Sequence, residues 1–398
     1  MMKKLLILTP RFPYPVIGGD RLRIYQLCKA LSNHYELTLL SLCESKFEME
    51  MELPDNVFSH VHRVYFPKWK SYLRTLLAIP TRTPLQVAYY RCSAFDKELK
   101  RLLSQHDATV SHLIRVGDYL INKSGIHVLE MTDAISLNYQ RVKSVSGTSS
   151  LKSIIYSLEQ SRLEHYERNV LSHFDFASLV SSVDRDFLFP DVIQHDKVLV
   201  CSNGVDTDEL KYTYRPIDRA KPVEIIFIGN MSSLQNMDAA LWFSKNVMPI
   251  LAEKGQFIFK VIGRISEDNK AKLLCYPNVV VTGSVDNVSL SAASGHIAVC
   301  PMRLGAGIQN KVLEYMSFGL PCITSTIGFE GIGAVNKQHL LIADTVKDYV
   351  DIIESIILNP ESTRLMTENA RVFVQQNFSW DSRLAPFIVK LEQLLSRK

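Results

Sequence analysis

Two α/β domains, each built on a parallel sheet, are what this sequence predicts, and three observations carry the prediction. A chain of 398 residues is longer than one hydrophobic core ordinarily fills. Short apolar runs alternate with helical periodicity from end to end, the pattern of sheets covered by helices. The turn signal Val200-Cys201-Ser202-Asn203-Gly204-Val205-Asp206 and a polar stretch to Pro222 then interrupt that series, which begins afresh at Glu224. The expected boundaries are 1–205 and 206–378, with 379–398 as a C-terminal helix packing back on the N-terminal domain.

The elements follow in order. Leu5 to Leu8 reads as a buried first strand, because its apolar run stops at Thr9-Pro10-Arg11 and is too short for a signal-peptide core. A Gly18-Gly19 loop, a helix near Arg21 to Leu31 and a strand from Leu37 to Leu42 come next. Further strands are expected at Ala108 to Ser111, His127 to Glu130 and Phe176 to Val180, and a long helix from about Leu151 to Leu171. The second series places strands at Glu224 to Ile228, Phe257 to Ile262, Val279 to Thr282, Ile297 to Cys300 and Cys322 to Thr324.

Composition narrows the class. With 46% hydrophobic and 22% charged residues the chain resembles an ordinary globular protein, and a net charge of +4 argues against a nucleic-acid partner. Cys28, Cys43, Cys92, Cys201, Cys275, Cys300 and Cys322 are dispersed, with no CxxC pair and no metal-like spacing. An odd number of such thiols suits a reducing cytosol, so a cytoplasmic protein without a metal site is expected. The segment Val61 to Arg101 holds nine Lys or Arg against two acids, with Trp69, Tyr72, Leu73, Leu76, Leu77, Tyr89 and Tyr90 interleaved. That mixture suits contact with an anionic membrane surface, on the inner face of the plasma membrane. Helix packing with a solvated basic face would look the same.

The stretch Pro301 to Met316 is the most informative. It follows a strand and leads into a helix, so Gly305 and Gly307 permit close backbone approach to a ligand and the helix start offers free N–H groups to an anion. Lys311 and Glu314 are three apart and share a helix face. A cation near phosphate and a carboxylate accepting from ribose hydroxyls would hold a nucleotide diphosphate. A glycine turn before an amphipathic helix with a surface Lys–Glu pair is the plainer alternative.

The stretch Gly305 to Met316, continued by Ser317-Phe318-Gly319-Leu320-Pro321-Cys322-Ile323-Thr324, resembles the donor-site signature of glycosyltransferase family 4 and its relatives with the GT-B fold. Asn203-Gly204-Val205-Asp206, Phe227-Ile228-Gly229-Asn230-Met231, Val281-Thr282-Gly283-Ser284-Val285-Asp286 and Asn377-Phe378-Ser379-Trp380-Asp381 match further family features in order, as does the Gly18-Gly19 loop. The resemblance implies two Rossmann-like domains facing a central cleft. It also implies retaining, metal-independent transfer of a sugar from a nucleotide-diphosphate donor to a glycan or lipid-linked acceptor in surface polysaccharide synthesis. No cofactor beyond that donor substrate is expected.

Carried over by position, Glu314 matches the family's ribose-binding glutamate. Ala306 stands where an earlier glutamate is usual and Asn230 where an arginine is usual, and no lysine is matched near Gln235-Asn236. Lys311 and Arg303, flanking the same loop, would then supply the positive charge. His112, after a strand, resembles the family histidine that contacts the donor sugar, and a role in turnover with none in folding is expected of it. A packed or solvent-facing side chain is the alternative. Gly18, Gly19, Gly229, Asn230, Gly263, Gly305, Ala306, Gly307, Ile308 and Glu314 complete the expected donor contacts. Arg115 and Asp133 are the acceptor candidates, although Arg115 also fits a surface residue and Asp133 the N-cap of the next helix. An isomerase of nucleotide sugars, or a subunit that binds them without turnover, are the rival readings.

Overall fold

The computed structural model describes residues 2–16, 19–145, 151–191, 196–207, 210–218, 220–285, 287–304 and 308–397, the side chains of 141–145, 151–157, 289 and 293 excepted. The chain divides into two compact units, Met1–Asn203 with Trp380–Lys398, and Gly204–Ser379.

The first unit holds seven strands: β1 (Lys4–Thr9), β2 (Glu36–Cys43), β3 (His60–Tyr65), β4 (Ala108–His112), β5 (Ile126–Thr132), β6 (Phe176–Leu179) and β7 (Val198–Val200). They pair in parallel in the order β3-β2-β1-β4-β5-β6-β7. Successive side chains of a strand point to opposite faces, and both faces here are covered. Leu5 and Ile7 therefore join one core layer and Leu6 and Leu8 the other. That is why β1 reads as an unbroken apolar run. The helix Trp380–Ser396 returns to this unit, burying Trp380, Leu384, Phe387, Leu391 and Leu395 along one stripe, with Phe387 set 5.1 Å from Phe176.

The second unit carries β8 (Val223–Ile228), β9 (Phe257–Ile262), β10 (Val279–Gly283), β11 (Ile297–Cys300), β12 (Cys322–Thr324) and β13 (Leu341–Ile342), parallel in the order β10-β9-β8-β11-β12-β13. Each sheet reverses its strand order once, between β1 and β4 and between β8 and β11. Ligands of such sheets bind outside the carboxyl ends of the strands at that point.

The segment expected to meet a membrane crosses four elements, among them the short helix Leu85–Tyr89. Its start is the edge strand β3, where Arg63 donates to Met49 O and Met51 O at 2.6 Å each. Its end is the helix Ser93–Leu103, whose Lys100 and Arg101 pair with Asp96 and Glu98. Only the middle, the helix Lys68–Ala78, exposes apolar side chains in a row. No helix among the described residues is long and apolar enough to cross a membrane.

Candidate active site

In the second unit the expected donor residues gather at the reversal point. Gly229 follows β8, Gly263 follows β9, and Gly283 ends β10. The N–H of Gly229 donates to Ile262 O at 3.0 Å and that of Gly263 to Gly283 O at 3.1 Å. Gly263 has φ +130°, and a Cβ there would lie 2.2 Å from the Gly229 carbonyl oxygen. Only glycine fits. Asn230 folds back on itself, its Oδ1 accepting from Ser232 N–H at 3.0 Å while its carbonyl accepts from Asn236 Nδ2 at 3.1 Å.

The helix Asn310–Phe318 begins at Gln309, whose side chain makes no cap hydrogen bond. It ends at Gly319 in the left-handed conformation, φ 83°, where a Cβ would press on the Tyr212 ring. Its register is set by Tyr315, whose hydroxyl accepts from the Ile228 N–H at 2.7 Å and ties the helix to the end of β8. Lys311 and Glu314 then sit one turn apart. The Lys311 ammonium donates to Asn236 Oδ1 at 2.5 Å and lies 4.7 Å over the Phe227 ring. Burial lowers its pKa, against the pull of Cys300 and Glu314. Glu314 is half-buried and makes no hydrogen bond among the described residues. Burial lifts its carboxyl to about 7, with Lys311 pulling the other way.

Arg303 is exposed and turned sideways, donating to Asp238 through Nε at 3.1 Å and Nη2 at 3.3 Å. Its charge is therefore already countered by a carboxylate. Ile308 packs against the second unit's core. Gly305, Ala306 and Gly307 lie outside the described residues, as does Gly18. Gly19 opens the helix Gly19–Ser32, and a Cβ there would meet nothing within 4 Å.

In the first unit the strand ends make a buried polar trio. His112 Nδ1 is 2.6 Å from Glu130 Oε2, and Arg23 Nε donates to Glu130 Oε1 at 3.1 Å. A carboxylate only accepts, so Nδ1 carries the proton. Burial alone would raise the Glu130 carboxyl, but His112, Arg23 and the Thr132 hydroxyl together bring it down to about 2. Leu113 and Thr132, just past β4 and at the end of β5, have φ 66° and 65°. Non-glycine residues in that region store strain, which clusters at functional sites.

This corrects one expectation. His112 is 3% exposed and bonded to a buried carboxylate, so it takes part in folding whatever it does in turnover. Asp133 sits after β5. The N–H of Ala134 donates to Asp184, and those of Ile135 and Ser136 donate to Glu167, so carboxylates other than Asp133 receive the donors that open the next helix. Arg115 is half-buried: its Nε donates to Gln86 Oε1 at 3.1 Å and it lies 5.8 Å from the Tyr90 ring centre.

Sequence reasoning missed Arg23 and Asn236. Arg23 occupies one place on an amphipathic helix where a basic residue normally points to water. Asn236 is a neutral side chain whose value lies in receiving Lys311. Neither carries a signal in one sequence.

Two units, each a parallel sheet covered by helices, have the architecture of the GT-B fold, and comparison with known proteins agrees. Residues 222–359 match the family described as glycosyl transferases group 1. Over 392 residues the chain is 21% identical to an uncharacterized 44.6 kDa protein in the cps region of Klebsiella pneumoniae, covering 95% of this chain and 97% of that one. Among solved structures it resembles sucrose-phosphate synthase from Thermosynechococcus elongatus (TM-score 0.66, 13% identity, 100% of each chain). It also resembles HepE of Anabaena in complex with UDP (0.62, 12%, 98% of this chain and 100% of that one). The lipopolysaccharide outer core galactosyltransferase WaaB is a third likeness (0.58, 13%, 98% and 99%). The structural likenesses establish the fold, and the family match supports a glycosyltransferase.

Proposed function

We propose that this protein is a retaining, metal-independent glycosyltransferase that moves a sugar from a nucleotide-diphosphate sugar to a glycan or lipid-linked acceptor of a surface polysaccharide. The observation that carries the reading is Glu314. A half-buried carboxyl without a hydrogen-bond partner among the described residues, one turn beyond Lys311 in the first turns of a helix, suits a ribose beside a diphosphate. Lys311 and the helix start stabilise the departing diphosphate. His112, its Nδ1 proton held by Glu130, presents Nε2 on the acceptor-side unit. HepE was solved with UDP, which makes UDP sugars the first donors to test. Ligand that binds the folded state raises the melting temperature by mass action. UDP and a UDP sugar are therefore expected to raise it, and lipid extract to convert the UDP sugar to free UDP. No shift with any nucleoside diphosphate would defeat the reading.

The same reading places the protein peripherally on the cytoplasmic face of the plasma membrane, through the helix Lys68–Ala78. Trp69, Leu76 and Leu77 are 63%, 62% and 63% exposed, and the run from Val64 to Phe95 contains five basic residues and no acid. Co-sedimentation with anionic vesicles is expected and should fall as salt rises, because exposed charges are screened. Equal absence from anionic and neutral vesicles would count against it.

A further inference from the structure

Beneath the exposed helix Lys68–Ala78 the first unit holds a cavity of about 280 Å³, at the small end of the range for ligand pockets. Arg11 and Arg115 stand in its wall with Gln86, Tyr72, Tyr89 and Tyr90. Gln86 takes only the Nε of Arg115, and neither Nη of Arg115 has a hydrogen-bond partner among the described residues. The other guanidinium is loosely held. Arg11 Nε donates to the Tyr90 hydroxyl at 2.9 Å and its Nη1 lies 3.5 Å from Asp20. Two neighbouring cations in a partly dry pocket repel each other, and burial with Arg11 close by lowers the pKa of Arg115. An anion between them removes that cost. Guanidinium forks match the oxygens of phosphate.

The tyrosines say what is attached to the anion. Tyr72 and Tyr89 meet edge to face at 5.6 Å, and Tyr89 and Tyr90 at 4.8 Å, giving the pocket an apolar wall. Tyr72 also belongs to the outward apolar row that continues through Leu73, Leu76, Leu77 and Ile79, all exposed. The pocket and the row are thus contiguous, and Lys68, Lys70 and Arg74 flank the row on the same helix. A free sugar phosphate would use the arginines and leave the row idle.

We propose that the Arg11–Arg115 pocket binds the phosphate of a lipid-linked sugar phosphate whose hydrocarbon lies along the Tyr72–Ile79 row. This names the acceptor class of the transferase and rests on that reading. The full chain is titrated calorimetrically with farnesyl diphosphate, inorganic pyrophosphate and farnesol, and with UDP as a report on the donor site. Farnesyl diphosphate is expected to bind tightest of the three probes. Arg115→Gln and Arg11→Gln should each weaken it about tenfold, the size of one charge-assisted contact, with UDP binding as in the parent. Arg11 is exposed, so its variant keeps the test open if Arg115→Gln folds poorly. Leu73→Ser with Leu76→Ser should weaken farnesyl diphosphate and leave pyrophosphate unchanged. Pyrophosphate binding as tightly as farnesyl diphosphate, or both arginine variants binding it like the parent, overturns the proposal. A parent that binds farnesyl diphosphate and no nucleotide overturns the transferase reading and leaves the lipid-phosphate site standing.

Discussion

Glu130→Gln is expected to destabilise the first unit by about 3–5 kcal/mol at pH 7, the usual cost of breaking a buried ion pair and leaving its partner uncompensated. Arg23 is fully buried, with one Nη donating to Ser202 O at 3.2 Å and the other Nη unpartnered. Without the Glu130 charge its guanidinium is left with neutral acceptors and the Trp380 ring, whose centre lies 6.0 Å away. The pH dependence has a definite sign. The Glu130 pKa is depressed in the fold, from 4.5 to about 2. Its contribution is therefore complete above pH 4.5 and disappears as pH falls through about 2, an effect of about 3 kcal/mol. Denaturant unfolding followed by Trp380 fluorescence, with Trp69 and Trp242 replaced by phenylalanine, isolates the first unit. The variant should lack the parent's loss of stability between pH 4.5 and 2. Equal stability of the two proteins at pH 7 would show that solvent, not Glu130, satisfies Arg23.

Glu314→Gln should act in the opposite direction on stability while harming binding. Loss of a charge-assisted contact to ribose costs about 1.5–3 kcal/mol, or roughly 10- to 150-fold in UDP affinity. The Glu314 pKa is raised in the fold, to about 7. An acid with a raised pKa destabilises the native state once it ionises, so the cost grows from pH 4.5 to about 7 and then stays constant. The glutamine variant should match the parent below pH 4.5 and be more stable above pH 7, by about 2 kcal/mol after allowing for solvent at a half-buried group. Lys311→Met should weaken UDP more than uridine, because it removes charge facing phosphate and nothing near the ribose. Calorimetry with both ligands and melting from pH 4 to 8 read all of this. A glutamine variant that binds UDP like the parent would return the Asn310–Phe318 helix to a structural role.

The positions of the proposed donor-side residues at strand ends and a helix start were legible because those signals are local. Gly229, Gly263, Lys311 and Glu314 each lie within a few residues of a strand end or helix start, where type and spacing carry the meaning. The Arg303 pairing was not legible, because its position beside the loop says nothing of Asp238, 65 positions away. The burial of His112 was hidden in the same way: its partner Glu130 comes from the neighbouring strand, and one sequence does not reveal that β4 and β5 pair so that His112 lies opposite Glu130.

The strands β3, β7 and β13 were not legible for a different reason. The edge strand β3 is half polar, with His60, His62 and Arg63 among its six residues, and strands as short as Val198–Val200 and Leu341–Ile342 are apolar for too few residues to be told from a turn. By itself the sequence determined the two sheets' apolar strands, their alternation with helices and the second start near Glu224, because periodicity records which side chains must leave water. Only the tertiary structure decided which charges are shared. Arg23 with Glu130, Arg303 with Asp238 and Lys311 with Asn236 are pairings across elements, and whether a charge is spent on the fold or left for a ligand depends on distances that no linear pattern contains.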